Sequence, residues 1–263
     1  MRAPRLLAAT LLCSLGLAGV TACGPAEEKK TSTDAKAAAA SPSAASPSAA
    51  GLESLSAAEI VKRTQEASTK ATSVKLTFDI ASEGTKIAGS VAEDSSGNCV
   101  GQVSLGDKGS FEVLRTSGSV WLKPDAVFWE KSVAAGTSKT LAGKYMKGGA
   151  EAAGVKELAS FCDMGLEALK SIGRTEDGTD DTASATKGGT RQIGSDLAVV
   201  IKDGDATTQA EMAVAAKGEP YLLQLATTGA DTGTMTFADY GKPVTVTAPP
   251  AAQVIDASKY LKG

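Results

Sequence analysis

Four cysteines and no histidine define the chemistry open to this chain of 263 residues. Histidine is the usual general base at neutral pH, the usual activator of a nucleophile and the commonest metal ligand, so its absence removes the central residue of most enzyme and metal sites. Ser184-Ala185-Thr186-Lys187 has the Ser-x-x-Lys spacing of the penicillin-recognising enzymes, where the serine opens a buried helix. Here Gly188-Gly189 follows and a polar run from Thr175 precedes, which describes a solvated loop, and no Ser-Asp-Asn or Lys-Thr-Gly stretch partners it. Glu176, Asp177, Asp180 and Asp181 gather acids without the alternating ligand spacing and terminal glutamate of a calcium loop, so they read as an acidic turn. Gly148-Gly149 lacks a phosphate-binding frame. The sequence therefore predicts no catalytic residue, no metal site and no cofactor, and the cysteines carry what chemistry there is.

Cys13 and Cys23 belong to the N-terminus. Arg2 and Arg5 precede an apolar run from Leu6 to Val20, which is shorter than the ~20 residues a helix needs to cross a bilayer and reads as an export signal. Val20-Thr21-Ala22-Cys23-Gly24 places small residues before a cysteine and glycine after it, the pattern of the bacterial lipobox, with Val20 where leucine is usual. Cleavage before Cys23 and acylation of its thiol, palmitate included, are the expectation; the alternative is an ordinary secretory cleavage after Ala22. The expected location is the outer face of the bacterial cytoplasmic membrane, with that membrane as partner through the N-terminal lipid. Residues 1–22 are then the signal peptide and 23–55 a disordered tether, rich in Ala, Ser and Pro and repeating Ser-Pro-Ser-Ala-Ala at Ser41 and Ser46. Glu27, Glu28, Lys29 and Lys30 balance, so lipid and not a basic patch must do the anchoring.

Cys99 and Cys162 remain in an oxidising compartment, where an even pair argues for a disulfide; two separately buried thiols are the alternative. Loss of Arg2 and Arg5 with the signal takes the formal net charge from −3 to −5. Together with the lack of any Lys/Arg stripe interleaved with aromatics, this argues against nucleic acid as a partner.

Residues 56–263 are long enough for one core. Ser56-Ala57-Ala58-Glu59 is a capping box opening a helix to about Ala71. The period then changes to two: Val74, Leu76, Phe78 and Ile80 alternate with polar residues as a strand with one buried face. Further strands are predicted at 86–92, 99–105, 110–115 and 119–123, joined by turns too short for parallel crossovers. A helical, irregular stretch over 124–171 follows, anchored by residues that include Phe128, Trp129 and Phe161. Strands are predicted again at 190–194, 197–202, 209–216, 221–227 and 233–240. The fold class is α+β, an antiparallel sheet apolar on one side and covered there by helices.

The order of helix, meander, helices and meander, closing on Asp239-Tyr240-Gly241-Lys242-Pro243-Val244-Thr245-Val246-Thr247-Ala248-Pro249-Pro250, resembles the actinobacterial lipoproteins of the LprG/LppX type. These are similar to the lipoprotein carriers LolA and LolB. The resemblance implies a strongly curved half-barrel around an apolar cavity that holds acyl chains, and so a lipid as ligand. The Cys99 and Cys162 pair is a departure from that pattern. Residues expected on the inward face are Val103, Val113, Val120, Val199, Ile201, Met212, Val214, Leu223 and Leu225. The function expected is that of a carrier or binder of lipid; the alternative, which the same pattern allows, is a structural or protein-interaction lipoprotein whose helices fill the same space. The sequence names no protein partner.

Overall fold

The computed structural model describes residues 49–260 except 83, 133–140, 153, 175–177, 179, 181, 205–206 and 230–231. The signal segment, Cys23 and most of the expected tether lie outside the described residues. All the described residues belong to one compact unit, over 44–263. Among them, no helix is long and apolar enough to cross a membrane.

The packed chain begins before Ser56. A 3-10 helix at Ala49–Ser54 buries Leu52 in the core, and the carbonyl of Glu53 accepts from Lys187 Nζ at 2.9 Å. Helix α1 follows at Ala57–Ser68, and both halves of its capping box form: Ser56 Oγ accepts from the Glu59 amide while the Glu59 carboxylate accepts from the Ser56 amide. Its buried side is Ala57, Ile60, Val61, Thr64, Ala67 and Ser68.

Twelve strands form one sheet: β1 Ser73–Ser82, β2 Thr85–Asp94, β3 Cys99–Ser104, β4 Ser110–Thr116, β5 Ser119–Pro124, β6 Tyr145–Gly148, β7 Thr186–Ile193, β8 Asp196–Gly204, β9 Thr208–Ala215, β10 Leu222–Gly229, β11 Thr232–Ala238 and β12 Val254–Asp256. Their order is β12-β6-β5-β4-β3-β2-β1-β11-β10-β9-β8-β7, so the sheet is not closed, and β1 is the seam between two meanders. Every pairing is antiparallel except β12 with β6. The nine longer predicted strands beyond β1 appear within a few residues of their expected bounds; β6 and β12, of four and three residues, carry too little alternation to be read.

Among the described residues, three shorter helices lie between the meanders: α2 at Ala126–Ser132, α3 at Lys156–Ala159 and α4 at Met164–Lys170, with a 3-10 turn at Ser160–Cys162 joining the last two. Helix α4 packs on β1 and β2, the 3-10 turn on β2 and β3, and α2 and α3 on β4, while α1 packs on α4 and β7. On the covered face, Gly89 and Gly101 stand opposite Phe78 and Val91. A Cβ at Gly89 would lie 2.8 Å from the Phe78 ring, so the missing side chain is what lets the ring settle onto the curved sheet.

The Asp239-to-Pro250 stretch closes the end of the sheet near α1. Asp239 takes the left-handed conformation with φ 55°, the Gly241 amide donates to the Ser73 carbonyl at 3.0 Å, and Ser73 Oγ donates to the Lys242 carbonyl at 2.7 Å. Tyr240 stacks on Tyr221 with ring centroids 4.1 Å apart and donates its hydroxyl to the Leu222 carbonyl. The chain then passes through a 3-10 turn at Ala251–Gln253 into β12, at the far edge of the sheet.

Candidate functional site

Strand register sorts the inner face into rows. One row runs Phe111, Val103, Gly89, Phe78, Met235, Leu225, Met212 and Ile201 across eight strands, from β4 to β8. Phe111, Val103 and Phe78 are fully buried, whereas Met235, Leu225 and Met212 are half-buried; Ile201, beyond them, is buried again. The middle of this row is therefore apolar sheet without complete cover. Its two methionines are flexible, polarisable side chains suited to an adaptable surface.

The uncovered strip follows from the placing of the helices. Helix α4 rests on β1 and β2, and α1 reaches β7, with β11, β10, β9 and β8 between those contacts. Helix α1 meets these strands through Ser68 Oγ, which accepts from the Leu222 amide at 3.3 Å, and through Val61, beside Met212 and Leu225. Cavities mark the gap. One of about 170 Å³ is lined by Val61, Gly173, Ala185, Ala210, Met212 and Leu225 among others. A second, of about 210 Å³, lies on the other side of the Val61 and Gly173 contact and is bordered by Ala58, Lys62, Gln65 and Ile172. Gly173 has φ +65°, and a Cβ there would stand 2.5 Å from Val61 Cγ1, so glycine sets the distance between the two walls.

Of the nine residues expected to line a cavity, Met212 and Leu225 border one. Val103, Val113, Val120, Val199, Ile201 and Val214 belong to the packed core, each no more than 2% exposed. Leu223 belongs to neither set. The register shifts between Leu222 and Gln224, which puts Leu222 opposite Val214 and Leu225 opposite Met212, so Leu223 is the extra residue of a bulge and the inward positions of β10 are Leu222 and Leu225. Met235 was missed because it neighbours β-strand threonines in a short weakly apolar segment, and Gln65 because it reads as the polar side of α1.

Across β1, the other meander is clasped. Cys99 and Cys162 form a disulfide with Cα atoms 5.7 Å apart, tying β3 to the turn before α4. In the same row of the sheet as Cys99 stand Glu93 on β2 and Arg115 on β4. Arg115 makes a two-armed pair with Asp163, at 2.8 and 2.6 Å, and donates to the Cys162 carbonyl at 3.0 Å. Glu93 is 1% exposed and one of its oxygens accepts from the Gly165 and Leu166 amides at the start of α4. Burial outweighs those two bonds and the Arg115 charge, and pushes the carboxyl from 4.5 up to about 7. Phe161, in the linking 3-10 turn, packs against both Phe78 and Phe111 with ring centroids 6.1 and 5.9 Å apart.

Ser184 and Lys187 are turned to separate partners: Ser184 Oγ donates to Asp203 at 2.5 Å and Lys187 to the Glu53 carbonyl. Glu176, Asp177 and Asp181 lie outside the described residues, and no group of three metal-ligating side chains occurs among the described ones. Trp121 and Trp129 are both buried.

No protein-family model matches the chain, and no curated protein matches it either. Solved structures do. LprF from Mycobacterium bovis is similar with a TM-score of 0.50 at 16% identity, over 73% of this chain and 96% of that one. Lipoprotein LppX of Mycobacterium tuberculosis follows with a TM-score of 0.46 at 15% identity, over 73% and 98%. The fold of this chain, a curved and mostly antiparallel open sheet with a few helices on its inner face, is the fold of LprF, and the resemblance to the LprG/LppX-type lipoproteins read from the sequence holds at that level.

Proposed function

We propose that this protein is an extracytoplasmic lipoprotein, held on the outer face of the bacterial cytoplasmic membrane by acyl chains on Cys23, that binds a lipid or other amphiphile without catalysing a reaction on it. The acyl chain lies along the strip of Met212, Leu225 and Met235. The observation that supports this reading is the half-burial of those three side chains, two of which line a cavity, in a row whose residues Phe111, Val103, Phe78 and Ile201 are buried. Each buried methylene contributes about 0.8 kcal/mol, so a chain of a dozen carbons along the strip offsets the loss of its own freedom. The described cavities are each smaller than the ~300–1,000 Å³ of an enclosed small-molecule site, so the strip holds a chain along a groove.

A second reading has its own support. Val103, Val113, Val120 and Leu122 are packed to complete burial without any guest, as expected of a structural or protein-interaction lipoprotein with a dry core. The experiment that separates the two is native mass spectrometry of protein lacking residues 1–22 and bearing Cys23→Ala, purified from the kind of bacterium that makes it. Co-purified lipid is expected, and Ala210→Trp, which fills the cavity beside Met212, should remove it while the far-ultraviolet circular dichroism is unchanged. A wild type that carries no lipid and takes up no labelled fatty acid or phospholipid leaves the interaction reading in its place. Anchoring is tested separately: the acylated N-terminal peptide should appear in the membrane fraction, and Cys23→Ala should release the protein.

A further inference from the structure

One end of the strip is charged. The sheet row beside Phe78, Met235, Leu225 and Met212, two residues nearer the hairpin tips on the same face, runs Ile80, Gly233, Thr227, Ala210 and Asp203. All five are half-buried, and the cavity of about 170 Å³ lies at the Asp203 end of that row. Among the described residues, the charges lining this cavity are Asp203 and the exposed Arg174, beside Ala185, Ala210, Met212 and Leu225. The two are not paired with each other. Arg174 makes no ion pair or side-chain hydrogen bond among the described residues. Asp203 Oδ1 accepts from Ser184 Oγ and from the Gly204 amide, which fixes the carboxylate and leaves Oδ2 without a partner among the described residues. Asp180, across an isolated bridge from Arg174, borders the other cavity. Opposite charges held unpaired at one mouth are complementary to a head that carries both signs. A lone phosphate meets the Asp203 carboxylate, a lone ammonium meets the Arg174 guanidinium, and an uncharged head takes water from both without replacing it.

Resting on the lipid-binding reading, we propose that this mouth is the headgroup subsite and takes a zwitterionic phosphate ester of an amino alcohol, its phosphate on Arg174 and its ammonium on Asp203. The planar guanidinium offers parallel N–H donors that match two phosphate oxygens, and the fixed carboxylate offers a point charge to the ammonium. The chain leads over Ala210 and along Met212, Leu225 and Met235, and stays on one side of the Val61 and Gly173 contact. Ile201, next to Met212 on β8, is buried, so the strip gives the chain one direction, away from β8. Selection of the head then lies with Arg174 and Asp203, and capacity for the chain with β9, β10 and β11.

The test uses protein lacking residues 1–22 and carrying Cys23→Ala, with four probes that share a dodecyl chain and are titrated calorimetrically below their micelle concentrations. They are dodecylphosphocholine, dodecyl phosphate, dodecyltrimethylammonium and dodecyl glucoside. The phosphocholine should bind about tenfold more tightly than each of the others, the equivalent of one charge-assisted hydrogen bond. Arg174→Gln should weaken it about tenfold and leave dodecyltrimethylammonium as tight or tighter. Asp203→Asn, which keeps an acceptor for Ser184 and Gly204, should weaken it about threefold and leave dodecyl phosphate as tight or tighter. A variant that had merely lost its fold or its cavity would weaken all four probes alike. Arg174→Glu, at an exposed position, serves as the second variant should the asparagine protein fail to fold, and should bind dodecyltrimethylammonium in preference to dodecyl phosphate. If a probe with one charge or none binds as tightly as the phosphocholine, or if both Arg174 variants keep phosphocholine affinity while Ala210→Trp abolishes it, the headgroup assignment is wrong and the lipid-binding reading stands. If the parent protein binds none of the four, both are wrong.

Discussion

The two meanders on either side of β1 have the same alternation of apolar and polar residues and opposite fates. Over β2 to β6 the inner face is sealed by α2, α3, α4 and the turn between the last two, and those elements are fixed by a disulfide, a two-armed ion pair and a buried carboxyl. Over β7 to β11 one helix serves five strands, and Met212, Leu225 and Met235 are left half-covered. What differs is the number of covering elements per strand, a property of topology that strand periodicity does not encode. The helices of the sealed side come from the long connection between β5 and β7, whereas the helix over the open side, α1, precedes β1. An incompletely covered apolar strip therefore arises here from sparse cover, on a sheet clasped in its other half.

The largest expected effect lies in the clasp. The disulfide closes a loop of 63 residues, worth about 4 kcal/mol in the chain-entropy account. Cys99→Ser with Cys162→Ser should lower the urea stability by about that amount, and amide exchange should rise first over α3 and α4 and last in β8 and β9. Equal loosening of both meanders would remove the distinction between them. A matched pair of truncations sharpens it further. Leu122 is fully buried and Leu225 is not, so Leu122→Ala should cost about 3 to 4 kcal/mol and Leu225→Ala about 1 to 2, although the same atoms are removed. Similar losses at both sites would mean that the strip is closed in solution.

Glu93 gives the sealed half a pH dependence of its own. Its folded-state pKa, about 7, lies above its ordinary 4.5, so between those values the folded protein holds a proton that the unfolded chain releases. Stability from this group is complete below about pH 4.5, declines as pH rises through the window, and is level above about 7, a total of about 3 kcal/mol. Arg115 and Asp163 are the charged groups facing it. Asp125, where hydrogen bonds together outweigh burial, and Asp239, paired with Lys242, both lie below their ordinary range, so they are ionised in both states across this window and contribute no slope. Glu93→Gln, which keeps an acceptor for the Gly165 and Leu166 amides, should flatten the profile between pH 5 and 8 in urea titrations. An unchanged slope would place the titration elsewhere.

How much of this was legible in the sequence depends on which interactions are local. The capping box of α1, the turn-bounded strands and the pairing of Cys99 with Cys162 all rest on nearby residues or on counting. Leu223 could not be placed because a bulge shifts the faces of β10 by one residue, and bulges leave no mark in a run such as Leu222-Leu223-Gln224-Leu225. Val103, Val113 and Val120 share the pattern of Met212 and Leu225 and differ only in lying beneath helices from another part of the chain. Gln65 read as solvent-facing, since its burial comes from elements far along the chain.

The smallest expected effect tests the open half at its narrowest point. Gly173 has a positive φ, and a methyl group there would press on Val61 Cγ1 at 2.5 Å, two reasons for alanine to be unfavourable. In a packed region such an insertion displaces several neighbours and costs about 1 to 3 kcal/mol beyond the backbone strain. Val61 has a cavity on either side of that contact, so it can turn aside without moving anything else. Gly173→Ala should therefore cost about 1 kcal/mol, the backbone contribution alone. A loss of several kcal/mol in urea would show that the walls at Val61 are as tightly packed as the sealed meander, and the contrast between the two halves would then stop short of α1.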